Sequence, residues 1–295
     1  MSIFVAGGSG FIGTNLVKRL EKMDRVTNLD IRNGNDCNVN NYSRVNFFVN
    51  QADIVYHLAN MPSHRLSMGS PRELMMNNYA TTLNIAEACR NTNCKKIVYL
   101  SSFAVYGKQE PPWTEDTPVK ATTPYGLAKI QCEMLLYAYH EWYGINVIII
   151  RPSNVFGENE QLHQPLQVIP QWFEDAKNDR PLIVHGESTT RDFTYVGDVV
   201  NGIVAAGKKN GFRVYNLCTG KPTLLMDVAR RISDNVKCHC LPDHETKWWW
   251  GSYEKAKKDL DYSPTKDIME WVDEQRDRIL GKKADAEPRG RSKKD

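Results

Sequence analysis

The N-terminal run "SIFVAGGSGFIG" constrains the fold more than any other stretch of the chain. An apolar segment is followed at once by glycines at 7, 10 and 13, and then by apolar residues at helical spacing. This pattern predicts a buried strand, a tight turn and a helix. Glycines in such a turn let the backbone approach a pyrophosphate, and the helix N-terminus attracts that anion through its N–H groups. The run therefore predicts a dinucleotide-binding loop formed by Gly7, Gly10, Phe11, Ile12 and Gly13.

An acidic residue ends the second predicted strand, "RVTNLD". A carboxylate at this position accepts hydrogen bonds from an adenine-ribose diol and repels a 2′-phosphate. Asp30 therefore favours NAD over NADP, although Arg32, two residues further on, weakens that preference.

Strands and helices then alternate along the chain. The segments "ADIVYHLA", "KKIVYLS" and "INVIIIR" are apolar on both faces, and two long helices are predicted over 71–91 and 124–143. Strands of this kind are typical of a parallel sheet covered on both sides, which predicts a doubly wound α/β fold. After Arg151 the loops lengthen and the elements shorten, which indicates a smaller α/β lobe at the carboxyl ends of the strands.

Composition excludes several classes of protein. The net charge of +3 is too small to indicate nucleic acid as a partner, and no run of 18 apolar residues occurs, so no membrane span is expected. The N-terminus lacks the features of a signal peptide, and the seven cysteines are scattered. We expect free thiols in a reducing cytoplasm. The spacing of Cys238 and Cys240 in "KCHC" matches no common zinc motif, so no metal is expected.

The stretch "YLSSFAVYG" ends a predicted strand with two adjacent hydroxyl groups, Ser101 and Ser102. Further on, Tyr125 and Lys129 lie four residues apart on one predicted helix and so share a face. A cation beside a tyrosine lowers the pKa of the phenol from about 10 towards neutrality, and a positively charged nicotinamide would add to this effect. Such a tyrosine is a general base suited to a sugar hydroxyl.

Taken in order, the glycine loop, the strand-end serines and Tyr-x-x-x-Lys resemble the short-chain dehydrogenase/reductase superfamily. The long second lobe is similar to that of its extended branch, the NAD-dependent nucleotide-sugar epimerases and dehydratases. Further matching segments are "HLA" (57–59), "NNYATTLNIAEA" (77–88), "RPSNVFG" (151–157), "RDFTYVGDVV" (191–200) and "YNLCTG" (215–220). The resemblance covers most of the chain. It implies a Rossmann NAD-binding domain over 1–152, a nucleotide-sugar lobe mainly over 153–280 with some elements returning to the first domain, and a disordered basic tail over 281–295.

The resemblance also implies roles for individual residues. Ser102 would hydrogen-bond the reacting hydroxyl, Tyr125 would be the base, and Lys129 would hold the nicotinamide ribose. Other cofactor contacts would come from Asp30, Asp36, Cys37, Ala59, Asn78, Ser101 and Pro152. Substrate contacts would come from Asn154 and Arg191 at the diphosphate, and from Val168.

The two residues after Ser102 discriminate between reactions. Sugar 4,6-dehydratases of the family typically place an acid and a base there, whereas this chain has Phe103 and Ala104, which exchange no proton. UDP-glucuronate decarboxylases place a Glu at the second position, and GDP-fucose synthase-like enzymes a Cys at the first. What remains is 4-epimerisation of a UDP-glucose or UDP-galactose type substrate through a 4-keto intermediate. The alternatives are an NAD(P)H-dependent 4-keto-sugar reductase and a non-catalytic NAD-binding regulator.

The sequence departs from the family in two places. The 4-epimerases usually carry an arginine shortly before the last helix, and "CLPDHETKWWWGSYEKAKKDL" has none. The family's "VDDV" reads "VGDV", with Gly197 in place of an aspartate. The resemblance further implies a homodimer in which helices 71–91 and 124–143 pair across a two-fold axis.

Overall fold

The computed structural model describes residues 1–34, 38–61, 68–160 and 168–281. Within these ranges a six-stranded, fully parallel sheet has the order β2-β1-β3-β4-β5-β9. Its strands are β1 (Ser2–Ala6), β2 (Arg25–Leu29), β3 (Ile54–His57), β4 (Lys96–Leu100), β5 (Asn146–Pro152) and β9 (Phe212–Leu217). The strand order reverses direction between β1 and β3, which creates a crevice at the carboxyl ends of these strands. The predicted doubly wound class is confirmed.

Helices cover both faces of this sheet. One face carries α1 (Phe11–Leu20), α6 (Val196–Ala206) and α8 (Glu254–Leu260), and the other carries α2 (Tyr42–Val49), α3 (Pro71–Asn91) and α4 (Pro124–Tyr143). Alternate strand residues enter opposite layers: Val5 packs in the first and Phe4 in the second, and both are fully buried. This two-sided burial is the reason that the strands read as continuous apolar runs.

A smaller lobe is built from short elements around a third apolar cluster, which includes Trp172 and Trp271. Its strands are β6 (Asn154–Phe156), β7 (Leu182–His185), β8 (Thr190–Tyr195), β10 (Pro222–Leu224) and β11 (Val236–His239), and its helices are α5 (Val168–Lys177), α7 (Leu225–Ile232) and α9 (Ile268–Ile279). Between these elements the chain returns to the first layer system through α6, β9 and α8. Apart from Gly281, the tail predicted to be disordered lies outside the described residues.

The departure "VGDV" has a local explanation in the structure. A Cβ on Gly197 would lie 2.4 Å from the ring of Tyr195, so no aspartate fits there without moving that ring. The aspartate that is retained, Asp198, accepts hydrogen bonds from the backbone N–H and the hydroxyl of Thr265 at 2.8 and 2.7 Å. It therefore ties α6 to the loop before α9.

The six cysteines in the described part of the chain are free thiols: Cys89, Cys94, Cys132, Cys218, Cys238 and Cys240. In the same residues, no three His, Cys, Asp or Glu side chains are grouped so that they could hold a metal ion. Nor does any described helix combine the length and the apolar character needed to cross a membrane.

Candidate active site

A cleft of about 740 Å³ opens at the carboxyl ends of the central strands, facing the smaller lobe. It brings together most of the residues singled out from the sequence: Gly7, Gly10, Phe11, Ile12, Gly13, Asp30, Ala59, Ser101, Ser102, Tyr125, Lys129, Pro152, Asn154 and Val168. Asn78 and Arg191 lie outside its described lining. Asp36 and Cys37 lie outside the described residues.

The glycine loop packs too closely against its neighbours to accept side chains. Gly7 has a φ of +86°, and a Cβ there would lie 2.5 Å from the backbone nitrogen of Ala59. A Cβ on Gly13 would lie 2.2 Å from the carbonyl oxygen of Gly7. On the cleft side, a Cβ on Gly10 would meet nothing closer than 3.5 Å. The loop therefore packs tightly against the protein on one side and leaves space for a ligand on the side that faces the cleft.

The N-terminus of α1 opens from this loop. Among the described residues no side chain caps it at Gly10, and its first turn contains no acidic residue. Its first N–H groups and the positive end of the helix dipole are therefore left for an anion. These features fit the pyrophosphate of a dinucleotide.

Asp30 organises the loop as well as lining the cleft. Its two carboxylate oxygens accept hydrogen bonds from the backbone N–H groups of Ser9 and Arg32, each at 2.9 Å. The Arg32 guanidinium donates to the Ser9 carbonyl at 2.7 Å, so it lies beside the loop. Asn28, which sequence reasoning missed, accepts from the N–H of Gly8 at 3.0 Å and donates to the Ser9 hydroxyl at 3.1 Å. An amide in β2, two residues before the acidic residue that follows the strand, is the signal that could have identified it.

Two local structures position the hydroxyl groups of the site. Ser102 precedes a 3₁₀ turn, Phe103–Val105, and its Oγ accepts a hydrogen bond from the N–H of Ala104 at 3.1 Å. Helix α4 begins with Pro124, a residue suited to the first helical position, and Thr123 caps it by accepting from the N–H of Gly126. Tyr125 thus stands at the start of the helix, where Ser102 hydrogen-bonds its side chain.

Lys129 lies one helical turn beyond Tyr125 and is almost fully buried. Its Nζ is 5.7 Å from the centre of the Tyr125 ring and 4.8 Å from that of the Tyr99 ring. It donates a hydrogen bond to the carbonyl oxygen of Leu100 at 2.5 Å. Burial lowers the pKa of Lys129 to about 8, although the neighbouring Cys132 and Glu133 act to raise it.

The pKa of Tyr125 differs from the sequence expectation. Burial raises it to about 12, and only the hydrogen bond from Ser102 acts to lower it. The expectation that Lys129 lowers this pKa is wrong for the protein side chains taken by themselves, because removing the phenol from water is the larger effect. A further positive charge against the phenol is needed before Tyr125 can act as a base near neutral pH.

Phe103 and Ala104 face away from the cleft and are almost fully buried. The Phe103 ring packs against those of Tyr106 and Trp113, with ring centres 5.5 and 5.7 Å apart. Trp249 joins the same cluster at 5.2 Å from Trp113. The described lining of the cleft includes no residue of the "WWW" motif. The two positions after Ser102 therefore present neither an acid nor a base to the cleft.

Asn78 was predicted to contact the cofactor, and the structure places it behind the loop that follows β3. Its side chain is buried, accepts from the N–H of Met61 at 2.7 Å and donates to the Met61 carbonyl at 3.3 Å. Ala59 and Met61, on that loop, line the cleft. Asn78 thus acts on the cleft by fixing the shape of this loop.

Arg191 is held away from the cleft by other partners. Its guanidinium pairs with Glu245 at 3.1 Å, donates to the carbonyl oxygens of Thr190 and Thr246, and lies 5.5 Å from the centre of the Trp249 ring. Sequence reasoning missed Glu245, because nothing in the sequence pattern brings residues 191 and 245 together. The structure thus shows that this positive side chain of the smaller lobe is already paired within the protein.

Glu160 lines the cleft together with Asn154, Val168 and Phe193, and sequence reasoning missed it too. Burial raises the pKa of its carboxyl group to about 8, although the N–H of Gly157 acts to lower it. This wall of the cleft is therefore largely apolar and, near neutral pH, carries an un-ionised carboxyl group.

The parallel sheet, the glycine loop and the Ser-Tyr-Lys arrangement define an extended short-chain dehydrogenase/reductase. The chain belongs to the NAD dependent epimerase/dehydratase family, whose sequence profile matches residues 3–218.

The chain is similar to several individual members of this family. It is 34% identical to a putative UDP-glucose 4-epimerase of Methanocaldococcus jannaschii, over 79% of this chain and 82% of the relative. It is 31% identical to a UDP-glucuronate 4-epimerase of Thermodesulfobacterium geofontis, over 73% and 69% of the two chains. A crystal structure of a mutant UDP-glucuronic acid 4-epimerase from Bacillus cereus, in complex with UDP-4-deoxy-4-fluoro-glucuronic acid and NAD, covers 95% of this chain and 99% of its own, with 27% identity and a TM-score of 0.85.

Proposed function

We propose that this chain catalyses NAD-dependent epimerisation at C4 of a nucleotide-diphosphate sugar of the UDP-glucose or UDP-galactose type, through a transient 4-keto intermediate. One observation carries the proposal. Ser102, Tyr125 and Lys129 line the cleft, whereas Phe103 and Ala104 are buried away from it. The site has the groups for a reversible transfer of hydride and proton, and lacks at those two positions the acid and base that water elimination requires. The two relatives described above, a UDP-glucuronate 4-epimerase and a putative UDP-glucose 4-epimerase, support this proposal.

The chain's residues divide the chemistry between them. Tyr125 takes the proton of the sugar 4-hydroxyl while the hydride on C4 leaves, and Ser102 hydrogen-bonds the same hydroxyl group. When bound, NAD would supply the hydride acceptor and, in its oxidised form, a positive charge beside the phenol, and it would be regenerated within one turnover. After the 4-keto sugar has turned in the cleft, Tyr125 would return the proton to its oxygen, and Ser102 would again hydrogen-bond that oxygen.

The cofactor end of the cleft is formed by the glycine loop, Asp30, Ala59 and Pro152. Asp30 would accept the adenine-ribose hydroxyls, and Lys129 would turn from the Leu100 carbonyl to the nicotinamide ribose. Asp36 and Cys37 stay predictions for the adenine end. Asn154 and Val168 would face the substrate, and Arg191 would reach the diphosphate only after leaving Glu245.

The polarity of the substrate end favours a neutral sugar. Among the described lining residues near Asn154 there is no Lys or Arg beyond Lys129, and the ionisable group present is the Glu160 carboxyl. A uronate carboxylate would lose water there without gaining a cationic partner, which is unfavourable. We therefore favour a hexose with an uncharged C6 group over a uronic acid.

We also propose that the enzyme is a cytoplasmic homodimer. Leu136 and Tyr139 of α4 are buried within the monomer, but Met76, Leu127 and Met134 on α3 and α4 are 62%, 43% and 66% exposed. An exposed apolar face of this kind on two adjacent helices suits pairing across a two-fold axis. Sedimentation of a monomer at micromolar concentration would count against the dimer.

NMR of the purified protein tests the activity. The protein is incubated with UDP-glucose, UDP-galactose and their N-acetyl forms without added cofactor, and interconversion within a pair is the expected result. Tyr125→Phe removes the base and is expected to abolish interconversion while NAD still binds. No interconversion, together with turnover of a 4-keto sugar and NAD(P)H, would favour the reductase. Absence of both activities would favour a non-catalytic NAD-binding protein.

A further inference from the structure

A buried ion pair lies directly behind the site, outside the cleft. The Arg151 guanidinium forms two hydrogen bonds to the Glu133 carboxylate, from Nε to Oε1 at 3.0 Å and from Nη2 to Oε2 at 2.6 Å. Both side chains are more than nine-tenths buried, at 7% and 9% exposure. A paired charge buried this deeply costs about as much in lost hydration as it returns in attraction, so stability alone does not account for it.

The pair is connected to the strand end that carries the candidate active-site serine. The Ser101 hydroxyl donates a short hydrogen bond to Oε1 of Glu133. Arg151 also donates to the Tyr106 hydroxyl at 3.0 Å, and that hydroxyl donates to the Asn216 side chain at 2.7 Å. The network therefore joins α4 to the carboxyl ends of β4, β5 and β9.

Its position in the sequence links it to each group of the site. Ser101 precedes Ser102, Glu133 lies one helical turn after Lys129, and Arg151 precedes Pro152 at the wall of the cleft. A movement of α4 along β4 would separate Ser102 from the two α4 side chains, and the network opposes that movement.

We propose that Glu133 and Arg151 are positioning residues, a charge-neutral brace that holds Ser102 against Tyr125 and Lys129. This inference rests on the proposed function only where its test measures turnover. Because the two charges cancel, the brace fixes geometry with little net field at the base. Neutralising Glu133 alone would leave a buried positive charge, and neutralising Arg151 alone would leave a buried negative charge.

Charged and titratable groups surround Lys129 on the elements packed against it: His57 from β3, Tyr99 from β4, Tyr125, Cys132 and Glu133 from α4, and, paired with Glu133, Arg151 from β5. Burial lowers the pKa of His57 to about 3 and raises that of Tyr99, so neither is charged near neutral pH. Glu133 is therefore the anion on these elements whose removal changes the field at Lys129, and through it at Tyr125.

The test compares Glu133→Gln, Arg151→Met and the double variant. Glu133→Gln leaves an unpaired cation and is expected to lower the apparent pKa of Tyr125 by about one pH unit, whereas Arg151→Met leaves an anion and raises it by a similar amount. The double variant restores the wild-type pKa. Turnover falls at least tenfold in all three, with KM and NAD affinity within about threefold of wild type. Arg231→Met, which breaks an exposed pair with Asp273, is the control and changes none of these quantities.

Tyrosinate absorbance near 295 nm, measured with NAD present and as a difference from the same protein carrying Tyr125→Phe, reads the pKa without any sugar substrate. If wild-type protein converts no sugar, the proposed function fails, while this titration still decides the inference. Shifts in the same direction, no shifts, or wild-type turnover in the double variant would overturn it.

Removing one partner of a buried pair can prevent folding. If the other variants do not fold, Ser101→Ala tests the proposed positioning role, because it keeps the ion pair and removes only the link from that pair to β4. We expect turnover reduced at least threefold with the pKa of Tyr125 unchanged, and wild-type turnover would refute the brace.

Discussion

Replacing the buried lysine should make the protein more stable and the enzyme inactive. The difference between the ordinary lysine pKa of 10.5 and the value of about 8 at Lys129 corresponds to roughly 3 kcal/mol of destabilisation while the ammonium is charged. Lys129→Met removes this charge from a site that Met fills with similar volume. Its lost hydrogen bond to Leu100 offsets part of the gain by a similar amount at every pH.

The stability difference between Lys129→Met and wild type should change with pH, and the lowered pKa of Lys129 determines the direction of that change. Because the folded-state pKa is lowered, the unfolded chain holds the proton more tightly, and the destabilising contribution is full below pH 8. It decreases as the pH rises from 8 through 10.5 and disappears above 10.5, where the lysine is neutral in both states. The stability advantage of Lys129→Met over wild type should therefore shrink by roughly 2 kcal/mol between pH 7 and pH 9.5.

Urea unfolding of both proteins at several pH values measures this difference, and Lys257→Met, which replaces an exposed lysine of α8, serves as the matched control. Turnover of Lys129→Met should fall at least about a hundredfold, because the lysine proposed to hold the nicotinamide ribose is lost and a misplaced reacting group costs roughly that factor. A stability difference that is the same at every pH would refute the argument.

Three further changes test other parts of the structure. Asp30→Ala should weaken NAD binding by about 10- to 100-fold and reduce discrimination against NADP, because charged hydrogen bonds to the ribose are lost; calorimetric titration with both cofactors measures it. Gly13→Ala places a Cβ 2.2 Å from the Gly7 oxygen and should lower unfolding stability by about 1–3 kcal/mol and weaken NAD binding; a serial NAD titration that matches wild type would contradict this. Met134→Lys should convert the dimer to monomer in sedimentation equilibrium, whereas Met23→Lys, at a site exposed elsewhere, should not.

Local signals were sufficient for the sheet and the cofactor loop. Strands apolar on both faces fix a parallel sheet, and glycines directly after β1 fix where its first helix starts. Tyr125 and Lys129 could be paired from sequence because helical spacing alone brings them to one face. Ser102 could be identified as a candidate because it lies at the end of a predicted strand.

What the sequence could not supply depends on contacts between distant segments. The pairing of Arg191 with Glu245, and the position of Asn78 behind its loop, follow from tertiary packing that no local pattern encodes. The pKa of Tyr125 was predicted with the wrong sign because helical spacing shows the nearby cation but not the degree of burial. The Glu133–Arg151 pair was missed for a related reason: a charged residue on a long helix is usually exposed.

The fate of the hydrogen at C4 tests the central claim most directly. UDP-glucose carrying deuterium at C4 is incubated with the purified protein in ordinary water, and the products are examined by NMR and mass spectrometry. Because the hydride leaves C4 and returns to it within one active site, UDP-galactose should form with deuterium retained at C4 and no NADH released. Loss of the deuterium to solvent, or its net transfer to a cofactor that leaves the protein, would contradict the account.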